Sequence, residues 1–306
     1  DQTSIPRSTV AEVYNTIISD VEKGINLLTE VNATGSKFRI GISTAHLLAS
    51  RYYLFMENWE KVVEHATAVF SAPGNSYSLF DMTNVNYPNA INTGGFPHPF
   101  TLNNPEILFF YASEEEHEVV TSDYYAKCFM ASDQLRNCYS NEDQRWNGYL
   151  CPYGEAGDEK KSSKFARELK FGACLRLSEA YLNRAEAYAN LAKIGGNEYF
   201  GKALSDLNTI REKRIKNYAS QAWTNSTFNN NADNLIENCR KERRREFCFE
   251  GMRWFDLRRY GMQSFSHRLD ESTNPGDEHS VEIGTATPKW MLPIMQHHKE
   301  SNPALN

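Results

Sequence analysis

The sequence lacks several features that would assign it quickly to a functional class. It has no apolar run near the ~20 residues that a membrane-spanning helix needs. Its 39 acidic residues outnumber its 33 basic ones, and the formal net charge of −6 disfavours a dedicated nucleic-acid binder, which usually presents a basic face. With 40% hydrophobic and 24% charged residues over 306 positions, the chain is expected to fold around a sizeable core.

Catalytic and metal-binding motifs are equally scarce. Neither a phosphate-binding glycine loop, nor a G-x-S-x-G elbow, nor an H-E-x-x-H zinc motif occurs, and we expect no cofactor. The six cysteines contain no C-x-x-C pair, and we interpret them as small apolar residues. His117 and the pair His297–His298 are interpreted as surface histidines. Glycoside hydrolysis stays open, because its two carboxylates can be distant in the chain.

Both ends of the chain show the spacing of amphipathic helices. Thr9 and Glu12 match a capping box, and apolar residues at intervals of three and four predict a helix over about 9–30. Two more helices are predicted from near Ser43 to a stop at 73–74, with a short break at 57–58 that makes them antiparallel. The pattern returns over 174–193 and 199–210 around a glycine-rich break. Small residues alternate with large ones, which favours tetratricopeptide-like repeats over an ordinary helical bundle.

Residues 73–170 differ from the segments that flank them. They are rich in Asn, Pro and Gly, and they contain one plausible buried strand, over 106–111. Half of the sixteen tyrosines fall here, and aromatic loops offer flat, half-polar surfaces suited to sugar rings. We therefore divide the chain into a helical repeat segment (1–72), an irregular aromatic-rich lobe (73–170) and a C-terminal helical region (171–306), within one compact domain.

A strongly charged motif occupies residues 235–259. Its basic residues alone would suggest a nuclear-localisation or nucleic-acid patch, but four glutamates are interleaved with them. One helical stripe contains Leu235, Cys239, Glu242, Glu246 and Phe249. Carboxylates on a core-facing stripe are costly unless arginines answer them with charge-assisted hydrogen bonds. We predict a packed helix with Glu–Arg pairs, and keep a catalytic pair of glutamates as the weaker alternative.

Four stretches of the sequence occur in an order that resembles one protein family. They read IPRSTVAEVY over 5–14, STAHLLASRYYL over 43–54 with WEKV over 59–62, RLSEAYLNRAEA over 176–187 with ALSDLNTIR over 203–211, and ERRREFCFEGMRWFDLRR over 242–259. The fourth is specific, because it matches the family pattern E-R-x-x-E followed by F-E-G-x-R-W-x-D-L-x-R. The chain thus resembles the SusD/RagB family of surface nutrient-binding lipoproteins of Bacteroidetes over nearly its whole length.

That resemblance implies a mostly helical fold, with tetratricopeptide-like helix pairs and an irregular loop-rich lobe, and it implies no catalysis. Such proteins capture oligosaccharides, and sometimes peptides, as a lid on a SusC-like TonB-dependent transporter in the outer membrane. Members usually begin with a signal peptide, a lipid-anchored cysteine and further helical repeats, none of which precedes Asp1. We therefore expect the C-terminal portion of a longer, lipid-anchored surface protein, whose ligand site is incomplete here.

The resemblance transfers no ligand-binding residue, so candidates come from residue type and position. Trp146 is the first, since an indole face stacks on the C–H surface of a sugar. Its neighbours in the same glycine-containing loop are Arg145, Asn147, Tyr149 and Tyr153. The second choices are tyrosines elsewhere in the lobe, namely Tyr87, Tyr124 and Tyr125. The alternative for Trp146 is that it seals the loop onto the helical core, which is also where Trp254 is expected.

Three functions compete at this point. The first is a non-enzymatic glycan-binding lipoprotein that works with a transporter. The second is a helical glycan-active hydrolase, which would turn an oligosaccharide over. The third is a cytosolic tetratricopeptide scaffold that binds other proteins. The four ordered stretches favour the first.

Overall fold

The computed structural model describes residues 5–87, 98–111, 131–153, 159–164, 173–196, 198–270, 278–291 and 293–305. Within these ranges the helices are α1 (Val10–Glu30), α2 (Ile42–Phe55), α3 (Trp59–Ser71), α4 (Asp133–Arg136), α5 (Arg145–Gly148), α6 (Leu177–Lys193), α7 (Glu198–Glu212), α8 (Ala232–Glu246), α9 (Arg253–Arg259) and α10 (Gln296–Ser301). The strands are β1 (Ile107–Tyr111), β2 (Leu150–Tyr153), β3 (Glu159–Ser162), β4 (Ala173–Arg176), β5 (Phe265–Asp270) and β6 (Glu278–Ile283). Short 3₁₀ turns cover Tyr218–Ser220, Asn225–Phe228, Pro288–Trp290 and Pro303–Leu305.

The predicted N-terminal helices are confirmed. The capping box of α1 forms, because the Thr9 amide donates to the Glu12 carboxylate at 2.7 Å and the Glu12 amide donates to the Thr9 hydroxyl at 3.2 Å. The break between α2 and α3 is the three-residue turn 56–58, in which Glu57 takes a positive φ of 57° and the Asn58 side chain caps α3. The two helices pack against each other as a hairpin, and α1 packs on α2.

The second helix pair is confirmed with one correction. Residues 174–176 were predicted as helix but form strand β4, and α6 begins only at Leu177. The reason is tertiary, since β4 pairs antiparallel with β1, placing Ile107 opposite Arg176 and Tyr111 opposite Ala173. The strand predicted over 106–111 is thereby confirmed as β1. The other strand pairs, β2 with β3 and β5 with β6, are also antiparallel two-stranded ribbons.

Helix α6 lies at the centre of the fold and contacts α2, α3, α7 and α8. Its small residues permit close packing, and Ala180, Ala185 and Ala189 have no exposed surface. The predicted mostly helical architecture with two helix hairpins is thus confirmed. The division at residues 72 and 170 stays a prediction, although the β1–β4 pair joins the second and third segments. No helix within the described ranges is both long and apolar enough to cross a membrane.

Three of the four cysteines whose side chains the structure describes behave as small apolar side chains, while Cys138 is only half-buried and its thiol donates to the Gln134 carbonyl. Cys174, Cys239 and Cys248 are buried and carry free thiols, and burial raises the pKa of both Cys174 and Cys239 well above the ordinary thiol value. Cys174 and Cys248 fall in segments that were predicted as helix. The structure corrects both, because Cys174 lies in β4 and Cys248 lies beyond the end of α8. Cys128 and the side chain of Cys151 fall outside the described residues.

A series of hydrogen bonds between polar side chains, which we call the histidine chain, connects the first three helices. His46 Nδ1 on α2 lies 3.0 Å from His65 Nδ1 on α3, and His65 Nε2 lies 3.1 Å from Glu22 Oε1 on α1. The Tyr53 hydroxyl donates to the same Glu22 oxygen at 2.9 Å. With Glu22 ionised, His65 must carry its proton on Nε2 and accept from His46 Nδ1–H. The histidine chain can form when both imidazoles are neutral or when they carry one extra proton between them. A second extra proton breaks it, because both Nδ1 atoms would then be donors.

The same chain predicts a pH dependence of stability. Burial lowers the pKa of His46, assisted by the neighbouring His65, and burial likewise lowers that of His65 against the pull of Glu22 and Glu64. The unfolded chain then binds more protons than the folded one below the ordinary pKa of 6.5, so stability is lost as the pH falls through 6.5. Urea unfolding from pH 7.5 to 5.5 should show this loss. A double His46→Gln, His65→Gln variant should have a flatter profile, and an equal slope in both proteins would contradict the assignment.

Candidate functional site

The predicted stripe of carboxylates on α8 is confirmed, and it forms the base of the candidate site. Glu242 and Glu246 have no exposed surface. Glu246 Oε1 accepts from Arg176 at 2.5 Å and from Arg214 at 2.8 Å, while Oε2 accepts from Arg145 at 3.0 Å. We call the whole group the buried ion-pair cluster, and its members are Glu106, Asp143, Arg145, Lys164, Arg176, Arg214, Glu242, Glu246 and Glu250.

The electrostatics of this cluster keep the carboxylates of Glu242 and Glu246 ionised. Burial alone would raise the pKa of Glu246, but Arg214, Arg176 and Arg145 outweigh it and hold the pKa well below 4.5. The same competition, led against burial by Arg145, lowers the pKa of Glu242 to about 2. Neither group carries a proton at neutral pH. Glu242 and Glu246 are thus structural partners of the arginines and are unsuited to general-acid chemistry.

The ion-pair cluster fixes the loop that contains Trp146. Arg145 opens the one-turn helix α5, and its guanidinium lies between Asp143, at 2.7 Å, and the α8 glutamates. The Tyr149 hydroxyl donates to Glu246 Oε1 at 2.9 Å from the other end of α5. Gly148 packs so closely against Met82 that an added Cβ would lie 2.4 Å from that methyl group. The backbone on both sides of Trp146 is therefore held from beneath.

An aromatic pair lies above this base. The Trp146 ring is half-buried, and its centroid lies 5.6 Å from the ring of Tyr139 at a tilt of 43°. The Tyr139 hydroxyl donates to the Arg245 carbonyl at 2.8 Å, which fixes the tyrosine to the last turn of α8. We call Tyr139 and Trp146 the aromatic platform. Asn147, also half-buried, follows it on α5.

The structure separates the predicted site residues by their exposure. Trp146 and Asn147 reach the surface, whereas Arg145 and Tyr149 are 0% and 1% exposed. We therefore assign the two buried residues to supporting the loop instead of touching a ligand, because their polar groups are already engaged by the carboxylates of the cluster. Tyr153 lies in β2, but its side chain is outside the described residues.

Of the second-choice tyrosines, the structure describes only Tyr87. Tyr87 is buried, at 6% exposure, against the apolar cluster beneath the loop. Tyr124 and Tyr125 lie outside the described residues. The ring centroid of Trp254 lies 4.9 Å from that of the fully buried Trp290, in agreement with the prediction that Trp254 packs against the core. Sequence reasoning missed Tyr139 as the partner of Trp146, since seven positions in an irregular loop carry no spacing rule that predicts contact.

Other possible sites offer less to a ligand. A small surface cleft, too narrow to hold a ligand, is lined by Arg51, Tyr111 and Glu250. Its charged groups are already paired, because Arg51 binds Glu179 at 2.6 Å and Glu250 accepts from Lys164 at 2.5 Å. Within the described ranges, no group of three or more His, Cys, Asp or Glu side chains is placed to hold a metal ion.

Comparisons with known proteins agree on one family. A family model described as the SusD family matches residues 83–306. The fold is similar to a SusD-like carbohydrate binding protein from Bacteroides vulgatus, at 19% identity and a TM-score of 0.66 over 98% of this chain and 66% of that chain. It is also similar to a SusD superfamily protein from Bacteroides thetaiotaomicron, at 23% identity and a TM-score of 0.69 over 98% and 67%.

A third similar structure is a SusD-like carbohydrate binding protein from Bacteroides fragilis, at 14% identity and a TM-score of 0.63, covering 99% of this chain and 72% of that chain. The chain thus spans about two thirds of the length of these solved structures. A search of curated proteins found no match.

Proposed function

The chain belongs to the SusD family, and from that premise we propose that it captures oligosaccharides without turning them over. The observation that carries the proposal is the aromatic platform, which lies on a loop anchored by the buried ion-pair cluster. The Trp146 indole is half-buried against the apolar cluster beneath the loop, and the part of it that reaches the surface is an apolar, flat face of the kind on which sugar rings stack. Because the base of the loop is already fixed, little conformational freedom is lost when a ligand binds.

The charge states of the α8 glutamates favour binding over hydrolysis. A glycosidase needs one carboxylic acid that is protonated near neutral pH, beside a second carboxylate. Glu242 and Glu246 are instead buried under arginines that lower the pKa of each. Incubation of the protein with an oligosaccharide that it binds should leave the sugar intact by chromatography, and turnover that disappears on replacing one carboxylate would reverse the assignment.

Family membership also supports a partner and a location for the full-length protein. We propose that it delivers its ligand to a SusC-like TonB-dependent transporter and lies at the outer-membrane surface, attached through a lipid anchor upstream of these residues. Two of the similar structures, from Bacteroides vulgatus and Bacteroides fragilis, are SusD-like carbohydrate binding proteins, which supports the same ligand class. Membrane fractionation and co-purification with an outer-membrane barrel protein would test this; a full-length gene without an export signal would favour the cytosolic scaffold.

Removal of the Trp146 indole should weaken sugar binding on the order of 10-fold, about 1.4 kcal/mol. Trp146→Ala deletes the stacking surface but leaves Arg145 and the ion-pair cluster in place, so the fold should survive. A screen of oligosaccharides by isothermal titration calorimetry identifies the ligand, and the variant is then titrated with it.

The matched control is Trp223→Ala. Trp223 is also half-buried and stacks under Arg211 at 3.7 Å, but it follows α7 and is not part of the platform. We expect its removal to leave the affinity unchanged. Equal affinities in wild type and Trp146→Ala would remove the platform from the site, and failure of every oligosaccharide to bind would overturn the proposed function.

A further inference from the structure

Helix α1 is attached to the rest of the protein by few apolar contacts. Of its 21 residues, Ile25 alone is buried. Ile18, Val21 and Leu28 are only partly buried against the apolar cluster that α2 and α3 mainly form. A helix that buries so little surface can separate from its neighbours while the remainder of the protein stays folded. The polar contacts of α1 therefore contribute much of what holds it in place.

The histidine chain provides those polar contacts. Glu22 on α1 accepts from the Tyr53 hydroxyl at 2.9 Å and bonds His65 Nε2 at 3.1 Å, so both bonds join α1 to the α2–α3 hairpin. They depend on a condition inside the hairpin, where the Nδ1 atoms of His46 and His65 lie 3.0 Å apart. At most one of these two atoms can carry a proton. A proton on each would oppose two N–H donors and two positive charges.

The charged groups that face the two imidazoles can balance one extra proton but not two. Glu22 faces them from α1, and Glu64 on α3 lies 3.9 Å from His65 Nε2 but already pairs with Lys61 at 2.8 Å. Strand β1, which also contacts α2, contains no charged residue. Burial opposes the second proton and lowers the pKa of both histidines. Helix α6 packs on both α2 and α3, and its charged side chains there are engaged elsewhere, in the pairs Glu179–Arg51, Arg184–Asp206 and Glu186–Arg259.

The segment that follows α1 is anchored independently of the helix. The Lys37 ammonium donates to the Asn104 carbonyl at 2.6 Å, and the Lys37 carbonyl accepts from the Phe110 amide at 2.9 Å. Between α1 and this anchor, Asn32 and Gly35 take left-handed φ angles of 50° and 73°. A few residues in turn conformations at the end of an element can absorb the change in backbone angles when that element moves. At the other end of α1, the hydrogen bonds of residues 5–7 to the C-terminal turn are exposed, so water can replace them.

We infer that the histidine chain is an acid-sensitive switch, in which a second extra proton on the His46–His65 pair releases α1 from the α2–α3 hairpin while the rest of the fold stays intact. Once α1 has left, the two imidazoles can turn into the space beside the hairpin and each can bind a proton. The stability that the histidine chain contributes is thus lost locally, at α1, before the protein unfolds as a whole. Release begins as the pH falls below 6.5, the ordinary histidine pKa, and is reversed above it.

Hydrogen exchange read by mass spectrometry at pH 7.5 and 5.5 tests this inference, because it reports each helix separately. Exchange rates are expressed as protection factors, which removes the effect of pH on the intrinsic rate. Each histidine that is free to titrate favours the released state by about 10-fold over this pH interval. We therefore expect the protection of α1 to fall by about 10- to 100-fold, with the lower value if the attached state already binds one proton. The protection of α6 should not change.

The double variant His46→Gln, His65→Gln should abolish the fall, because two amides can continue the same series of donors and acceptors without titrating. His297→Gln, which changes an exposed histidine on α10, should release α1 as wild type does. If the double variant does not fold, His46→Gln alone serves, since its amide oxygen can accept from a protonated His65. Unchanged protection of α1 between the two pH values, a parallel loss in α1 and α6, or a fall that persists in the glutamine variant would each overturn the inference.

Discussion

Replacement of Glu246 by Gln is expected to lower the free energy of unfolding by about 3–5 kcal/mol, or to prevent folding altogether. The carboxylate binds Arg145, Arg176 and Arg214, all of which are at most 1% exposed. The amide retains the shape of the side chain but removes the negative charge, and its NH₂ group faces donors that need an acceptor. Three buried cations would then share the remaining carboxylates.

The size of this effect follows from burial, and an exposed glutamate on the same helix shows the difference. Glu237 is 53% exposed, and its carboxylate lies 3.8 Å from the Lys241 ammonium. Glu237→Gln should change stability by less than about 0.5 kcal/mol, because water and salt screen that pair. Urea denaturation of both variants at pH 7 measures the contrast. A loss below about 1 kcal/mol for Glu246→Gln would show that the cluster is not needed to hold its segments together.

The same cluster predicts sensitivity to acid. Glu242 has a folded-state pKa of about 2 against an ordinary value of 4.5, and the pKa of Glu106 is lowered as well, where Arg214 and Arg176 outweigh burial. The unfolded chain therefore binds protons first. The stability contributed by these groups is complete above pH 4.5 and is lost as the pH falls from there towards the folded-state pKa values. This window is separate from that of the histidine chain, which begins near 6.5.

Much of the fold could be predicted because its signals are local. The capping box at Thr9, the break at 57–58 and the glycine break after α6 each involve residues within a few positions of one another. Strand β4 escaped prediction because four residues give too short a pattern, and the run continues directly into α6. Its pairing with β1, more than sixty positions earlier, decides its conformation. The intrinsic strand propensity of residues 173–176 does not depend on that partner and so could not predict the pairing.

The candidate site was predictable only in part, for the same reason. The stripe of glutamates on α8 indicated that arginines must answer it, and they do. Their identity was hidden, since Arg214, Arg176 and Arg145 lie 32, 70 and 101 positions away from Glu246. Arg145 was consequently predicted to touch a ligand, although it is fully buried. The nearby Asp143 gave a usable sign, because a carboxylate two positions before an arginine can engage it across a turn.

A second large effect is expected from a single methyl group at Gly41. This glycine precedes α2 and closes the loop 32–41, where the Ile42 amide donates to the Ala33 carbonyl at 2.9 Å. An added Cβ would lie 2.4 Å from the Gly35 nitrogen and 2.5 Å from the Thr34 carbonyl carbon. These are backbone atoms, which cannot rotate away as the end of a side chain can. Gly41→Ala must therefore open the loop, and we expect a loss of about 3 kcal/mol.

The cause is space and not backbone conformation, because Gly41 has a φ of −123° that any residue adopts. Gly24→Ala provides the matched control, since nothing lies within 4 Å of an added Cβ in the middle of α1, and there the substitution should stabilise by about 0.5–1 kcal/mol. Urea midpoints of the two variants should move in opposite directions.

Opening of the loop should also release β1, because the Phe110 amide of that strand donates to the Lys37 carbonyl of the loop at 2.9 Å. A Gly41→Ala urea midpoint equal to that of wild type would mean that the loop accommodates the methyl group without moving Gly41 away from Thr34 and Gly35.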